Sequence, residues 1–299
     1  MSLRKGKKVQ GLVTALITPF DHKGRVDVEA VKRLVKFQLS KGTEGFFPCG
    51  STGLGPLLRV EERKSMAEAV VSAAKGRVPV VVQVGAADTN TTVELAKHAE
   101  KIGADAAASL TPFYYKPGEK AIVKHFETVS KALGIPLFAY NIPPFTGNNL
   151  SPPAVARLAK EGVIHGIKDS SRDFLHLVDV LQLVPEGFTV MNGTEEYGLF
   201  AIQAGAAGLV SGGANAFPEL FSELVGSNGK GDFGRALAAH RKVVQVKDAV
   251  KEGPISAYYE VLRRRGVDCG SPRAPLLPYE SGDSRRLVEY LKALGVLPD

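Results

Sequence analysis

From residue 9 onward the chain alternates between two textures. Short apolar runs rich in Val, Ala, Phe and Ile are each followed by a longer stretch whose apolar residues recur at helical spacing. The runs fall at 10–18, 44–49, 78–85, 105–111, 135–141, 163–168, 188–192 and 206–211. The helical stretches fall at 28–40, 60–75, 90–102, 119–133, 152–160, 174–184, 195–203 and 218–225. Strands apolar on both faces need cover on both, the condition of a parallel sheet with helices packed outside it. Eight strand–helix units in succession predict an α/β fold, a (β/α)8 TIM barrel, for which about 250 residues is typical. A doubly wound open sheet would leave the count of eight unexplained. The barrel is predicted over residues 9–228. Residues 229–299 show helical patterning at 232–251, 255–265 and 284–294 with no strand-like run, and predict a C-terminal helical extension. Its Gly-Ser-Pro-Arg-Ala-Pro stretch at 270–275 reads as a loop.

Composition narrows the class. Of 299 residues, 44% are hydrophobic and 23% charged, ordinary globular values that argue against disorder. No window holds the roughly 20 consecutive apolar residues of a spanning helix. The N-terminal M-S-L-R-K-G-K-K is basic and leads into a strand, not into a secretory apolar core, so a cytoplasmic protein is expected. Cys49 and Cys269 are too few for a disulfide framework or a metal site, and read as a small buried hydrophobe and a loop thiol. The formal net charge of +7 is spread over helical stretches among acids, with one dense run at 263–265. No nucleic-acid or membrane partner is expected from it, and an anionic small substrate suits it equally well.

In a barrel of this kind the chemistry sits at the C-terminal ends of the strands. One of those ends is Lys168, which closes the run Val-Ile-His-Gly-Ile-Lys. An apolar pocket would lower the pKa of such an amine from about 10.4 and free it to attack a ketone. A lysine that only ends a strand and reaches water has the same local pattern. Tyr140 ends the preceding strand, where a phenol either passes protons or caps the barrel core. Gly50-Ser51-Thr52-Gly53 offers freed backbone N–H groups to a carboxylate, although glycine–hydroxyl turns are common and the lysine of a phosphate-binding loop is missing. Glu195 and Glu196, after Gly193, either complement a helix dipole or contact sugar hydroxyls. His165 reads as a strand residue facing a helix. No cluster of His, Asp and Glu at these ends suits a metal.

The segments Gly11-Leu12-Val13 through Thr18-Pro19-Phe20, Gly50-Ser51-Thr52-Gly53, Pro112-Phe113-Tyr114-Tyr115, Tyr140-Asn141-Ile142-Pro143 with Thr146-Gly147, and Gly166-Ile167-Lys168-Asp169 together resemble the dihydrodipicolinate synthase / N-acetylneuraminate lyase family. The match in order and spacing covers nearly the whole chain. The resemblance implies a barrel with a helical C-terminal extension, pyruvate held as a Schiff base on Lys168, no other cofactor, and a homotetramer. It implies that Tyr140 relays protons and that Ser51 links it to Tyr114, which enters from a neighbouring subunit. It further implies that Ser51 and Thr52 hold the keto-acid carboxylate, and that Gly193 and Val210 are substrate contacts.

Departures bear on which member this is. The synthases of the family usually carry Glu after the glycine-hydroxyl motif, and Arg between the Pro and the Thr-Gly that follow the tyrosine. Here those places hold Leu54 and Phe145. Without that guanidinium a carboxylate-bearing aldehyde lacks its bidentate partner, unless another cation such as Lys116 replaces it. The neuraminate lyases share the Gly50–Gly53 and Tyr140–Pro143 motifs, but tend to have Asp-Glu at 195–196 and Glu at position 54. Gly50 to Pro56, Lys168-Asp169 and Pro272-Arg273-Ala274-Pro275 are most similar to the 2-keto-3-deoxygluconate aldolases. The expected activity is therefore a class I aldolase or lyase joining or separating pyruvate and an aldehyde, on a 2-keto-3-deoxy sugar acid. Behind it stand 4-hydroxy-tetrahydrodipicolinate synthase, N-acetylneuraminate lyase and a keto-deoxy sugar acid dehydratase, and last a non-catalytic keto-acid-binding barrel.

Overall fold

The computed structural model describes residues 6–251 and 253–297, so the first five residues of the basic N-terminal stretch lie outside the described residues. Eight parallel strands form the centre: β1 (Gly11–Thr14), β2 (Gly45–Phe46), β3 (Val81–Gln83), β4 (Ala106–Leu110), β5 (Leu137–Asn141), β6 (Gly166–Asp169), β7 (Thr189–Asn192) and β8 (Gly208–Ser211). They pair in the order β2-β1-β8-β7-β6-β5-β4-β3, and a parallel bridge between Phe46 and Val80 closes the ring. Each falls within one of the eight expected runs except β6, which ends at Asp169, one residue past the run expected at 163–168. The strands are shorter than the runs because only part of each run is paired in the sheet. Beyond it the chain stays buried but turns into the strand–helix loops, as at Ala15 to Thr18 and Phe47 to Cys49.

Period-two alternation along the strands sorts the core into two layers. Val13, Val81, Ala108, Phe138, Tyr140, Met191 and Val210 fill the barrel interior, while Leu12, Ala139, Ile167, Val190 and Leu209 pack outward against the helices. The outer ring comprises α1 (Val28–Ser40), α2 (Val60–Ala74), α3 (Thr89–Lys101), α4 (Glu119–Lys131), α5 (Pro143–Thr146), α6 (Pro152–Lys160), α7 (Phe174–Leu183), α8 (Gly198–Gln203) and α9 (Pro218–Gly229). Asp27, Asp88, Ser151 and Asp173 cap α1, α3, α6 and α7 by accepting backbone N–H bonds. Two details depart from the expected elements. The single turn α5 forms between the strand and the helix expected on either side, where no element was expected, started by proline at its first position. The helix expected at 195–203 opens instead as a 3-10 turn, Glu195–Tyr197, before α8.

The extension folds as α10 (Phe233–Ala249), α11 (Pro254–Arg264) and α12 (Ser281–Ala293). It reaches back over one side of the barrel mouth. Tyr259 Oη on α11 donates to the Thr18 carbonyl at 2.5 Å. Arg273 donates to both carboxylate oxygens of Glu62 at 2.7 and 2.8 Å and to the carbonyls of Gly24 and Leu57, with its guanidinium 4.7 Å from the Phe20 ring centroid. The thiol of Cys269, in the loop as expected, is buried like that of Cys49, and burial pushes it up to about 12. No helix among the described residues is long and apolar enough to cross a membrane.

Candidate active site

A cavity of about 180 Å³ opens at the C-terminal ends of the strands. Lys168, Tyr140, Ser51, Thr52, Gly193, Val210, Glu195 and Glu196 all line it. Tyr114 does not: it is 85% exposed on the loop after β4, at φ +78, stacked edge-to-face on Tyr115 at 5.1 Å.

Strand register brings the two central groups together. Tyr140 on β5 is the direct partner of Lys168 on β6, so both side chains point inward on adjacent strands. Lys168 is 4% exposed, with its Nζ 4.1 Å from the Tyr140 ring centroid and 4.4 Å from that of Phe47. Phe47 meets Tyr140 edge-on at 5.4 Å. The amine is thus held between two aromatic rings. Ser51 Oγ lies 3.3 Å from Tyr140 Oη, so the hydroxyl loop and the phenol are hydrogen-bonded.

That loop has a fixed shape. Cys49 (φ +61) and Leu54 (φ +56) bracket it in left-handed conformations. A Cβ at Gly55 would fall 1.9 Å from the Cys49 carbonyl oxygen, so only glycine fits the return of the chain. Thr18 Oγ1 donates to the Gly53 carbonyl at 2.6 Å and pins the loop to the end of the first apolar run. Gly193 leaves room beside the amine: a Cβ there would lie 2.0 Å from Ser170 Oγ and 3.0 Å from Lys168 Cε.

One residue further along the same strands, the outward-facing pair supports the inward one. Asn141 Nδ2 donates to Asp169 Oδ1 at 3.1 Å, Ser171 Oγ donates to Asp169 Oδ2 at 3.0 Å, and His176 Nδ1 lies 3.3 Å from the same oxygen. The other ring nitrogen of His176 is 2.8 Å from the Leu150 carbonyl. Burial works against a charged His176, but its bond to Asp169 and that carboxylate's charge outweigh it and raise the pKa. Both ring nitrogens face acceptors, as an imidazolium requires. This buried pair ties β6 to α7 directly behind the lysine.

Glu195 is committed to the scaffold. Its Oε1 accepts from Ser211 Oγ at 2.7 Å and from the Gly213 N–H at 2.8 Å. Its Oε2 is 3.2 Å from Lys247 Nζ on α10, an ion pair off hydrogen-bond alignment. Burial pushes the Glu195 carboxyl up, yet Lys247 and these bonds hold it low, and the Glu195 charge in turn raises Lys247. The carboxylate turns inward from the first residue of the 3-10 turn. Glu196, by contrast, is exposed at the cavity.

Sequence reasoning missed Ser170, Arg172, Lys247 and Tyr258, which also line the cavity. Lys247 lies within a helical stretch among other charges and Arg172 in a short polar run, and no local pattern sets either apart. Lys116, weighed as a substitute cation, does not line this cavity; its Cε lies 3.9 Å from where a Gly147 Cβ would stand. Among the described residues no three His, Cys, Asp or Glu side chains gather as a metal site.

A closed eight-stranded barrel with an amine, a phenol and a hydroxyl loop at its strand ends defines a lyase of the aldolase type. The chain belongs to the dihydrodipicolinate synthetase family, whose model matches residues 8–294. It is 33% identical over 293 residues to a 4-hydroxy-tetrahydrodipicolinate synthase of Chlorobium chlorochromatii, covering 97% of this chain and 98% of that one. It is 37% identical over 290 residues to an uncharacterized DapA-like lyase of Halobacterium salinarum, covering 97% and 95%. Among solved structures it resembles YagE, a prophage protein of E. coli K12 of the same family, in complex with pyruvate, with a TM-score of 0.92 and 27% identity over 96% of this chain and 99% of that one.

Proposed function

We propose that Lys168 forms a Schiff base with pyruvate and that the chain joins the resulting enamine to an aldehyde, or runs the reverse cleavage. Lys168 Nζ adds to the keto carbon, the carbonyl oxygen leaves as water, and an iminium results. The iminium withdraws electrons, so the methyl carbon releases a proton and becomes an enamine. That carbon bonds to the aldehyde carbon, and the aldehyde oxygen takes a proton from Tyr140, replenished through Ser51 and, in an assembly of several copies, Tyr114. Water then hydrolyses the iminium and returns the amine. The observation that carries this reading is the pairing of Tyr140 with Lys168 on adjacent strands, with Ser51 in hydrogen-bond reach of the phenol. The loop at Ser51 and Thr52 takes the pyruvate carboxylate on backbone N–H groups.

For the aldehyde, the synthase name of relatives such as the Chlorobium protein favours the reading that the sequence ranked second over the 2-keto-3-deoxy sugar acid it ranked first. A specific observation keeps the sugar-acid lyase as a second reading. Phe145, 70% exposed, stands at the cavity where the synthases of the family carry arginine. Pyruvate consumption with aspartate semialdehyde and with glyceraldehyde separates the two. Faster turnover of the carboxylate-bearing aldehyde supports the synthase reading, faster turnover of glyceraldehyde supports the sugar-acid reading, and no consumption with any aldehyde would contradict both.

A further inference from the structure

Three cations line the cavity, and two of them are engaged. Lys168 is the amine at the reacting centre, and Lys247 is paired with buried Glu195. Arg172 has no hydrogen bond or ion pair to any described residue. The acids beside it in sequence are held elsewhere: Asp169 by Asn141, Ser171 and His176, and Asp173 by the backbone N–H groups of Leu175 and His176 that it caps. Its backbone lies at φ +63, in the left-handed region where glycine is the residue of least strain. An arginine is therefore kept at a strained position, at the rim of the cavity, with its guanidinium unpaired. Strain of this kind is found where the side chain's placement matters.

We propose that Arg172 determines specificity by binding a carboxylate at the far end of the aldehyde substrate. It would supply the guanidinium that position 145, a phenylalanine, does not. This inference rests on the Schiff-base reading above and deepens it. With pyruvate fixed by Lys168 and its carboxylate on the Ser51–Thr52 loop, an anionic group at the rim belongs to the second substrate. A planar guanidinium free of internal partners can take that carboxylate with two parallel N–H···O bonds. A hydroxylated, uncharged aldehyde gains much less from it, so Arg172 separates the two substrate classes.

The test uses Arg172→Gly, which suits the left-handed backbone and so removes the side chain without straining the fold, beside Arg172→Lys. The ratio of kcat/KM for aspartate semialdehyde over glyceraldehyde should fall about tenfold or more in Arg172→Gly, mainly through KM, with Arg172→Lys in between. An unchanged ratio would overturn the proposal. Calorimetric titration with 4-hydroxybutyrate, which carries the same distal carboxylate on an unreactive carbon, reads the site without chemistry. Binding that weakens by a similar factor in Arg172→Gly supports the assignment, and equal binding to both proteins overturns it. Borohydride trapping of pyruvate on Lys168 in the same preparations reports separately whether the Schiff-base reading holds.

Discussion

The two halves of the barrel mouth treat charge in opposite ways. On the side covered by the extension, every cation described above has a carboxylate partner: Lys247 with Glu195, and Arg273 with both oxygens of Glu62. On the open side, above β4, β5 and β6, Tyr114, Tyr115 and Phe145 are 70–85% exposed and Arg172 is unpaired. The covered half thus behaves as scaffold and the open half holds the groups with free bonding capacity. Lys168 lies at the floor beneath both, fixed by its aromatic neighbours on one face of the strand pair and by the Asp169–His176 pair on the other.

The sharpest way to break this division is at the floor. Lys168→Ala should remove turnover completely, because among the described residues no other buried amine lines the cavity without a carboxylate partner; an aldehyde-dependent pyruvate assay on the variant checks it. Tyr140→Phe should leave pyruvate able to label Lys168 while lowering kcat about 10²- to 10⁴-fold, the usual reach of a positioned proton donor. If labelling and kcat fell together, the phenol would instead be needed for adduct formation. Gly193→Ala comes next. Its methyl would press on Ser170 Oγ and Lys168 Cε, so both the rate of adduct formation and kcat/KM should drop about tenfold, with the melting temperature lowered by only a few degrees.

The smallest effect belongs to the covered half. The Arg273 guanidinium holds the Glu62 carboxyl at about 2, below the ordinary 4.3 or so of an unfolded chain. A depressed carboxylate stabilises the fold fully above its unfolded pKa, and that contribution disappears as pH falls from about 4.3 toward 2. Arg273→Ala should therefore cost about 2 kcal/mol at neutral pH and make stability less sensitive to acid across that window. Thermal melts of both proteins between pH 7 and 3 read both expectations, and an unaltered acid profile would remove Glu62 from the account.

How much of this could be read from the chain follows from how local each signal was. Lys168, Tyr140 and the Ser51 loop were legible because a parallel strand's apolar run points to its own C-terminal end, and the barrel collects those ends at one mouth. Gly193 was placed by the same logic. Arg172 was not legible, because nothing in Asp-Ser-Ser-Arg-Asp discloses a left-handed backbone or which acids are already bonded. The Glu195–Lys247 pair joins the barrel to the extension across a fold that neither segment encodes alone. Tyr114 was named from the resemblance alone, and among the described residues its aromatic contact is with Tyr115, away from the cavity. Leu54 and Phe145 pointed away from the synthase, and the cation that would reopen that possibility sits on another loop.

The most direct measurement is to incubate the protein with pyruvate and borohydride and map the mass change by peptide mass spectrometry. A single reduced pyruvate adduct on Lys168 is expected. A folded protein that takes up no adduct, or carries it on another lysine, would contradict the assignment of Lys168 as the nucleophile.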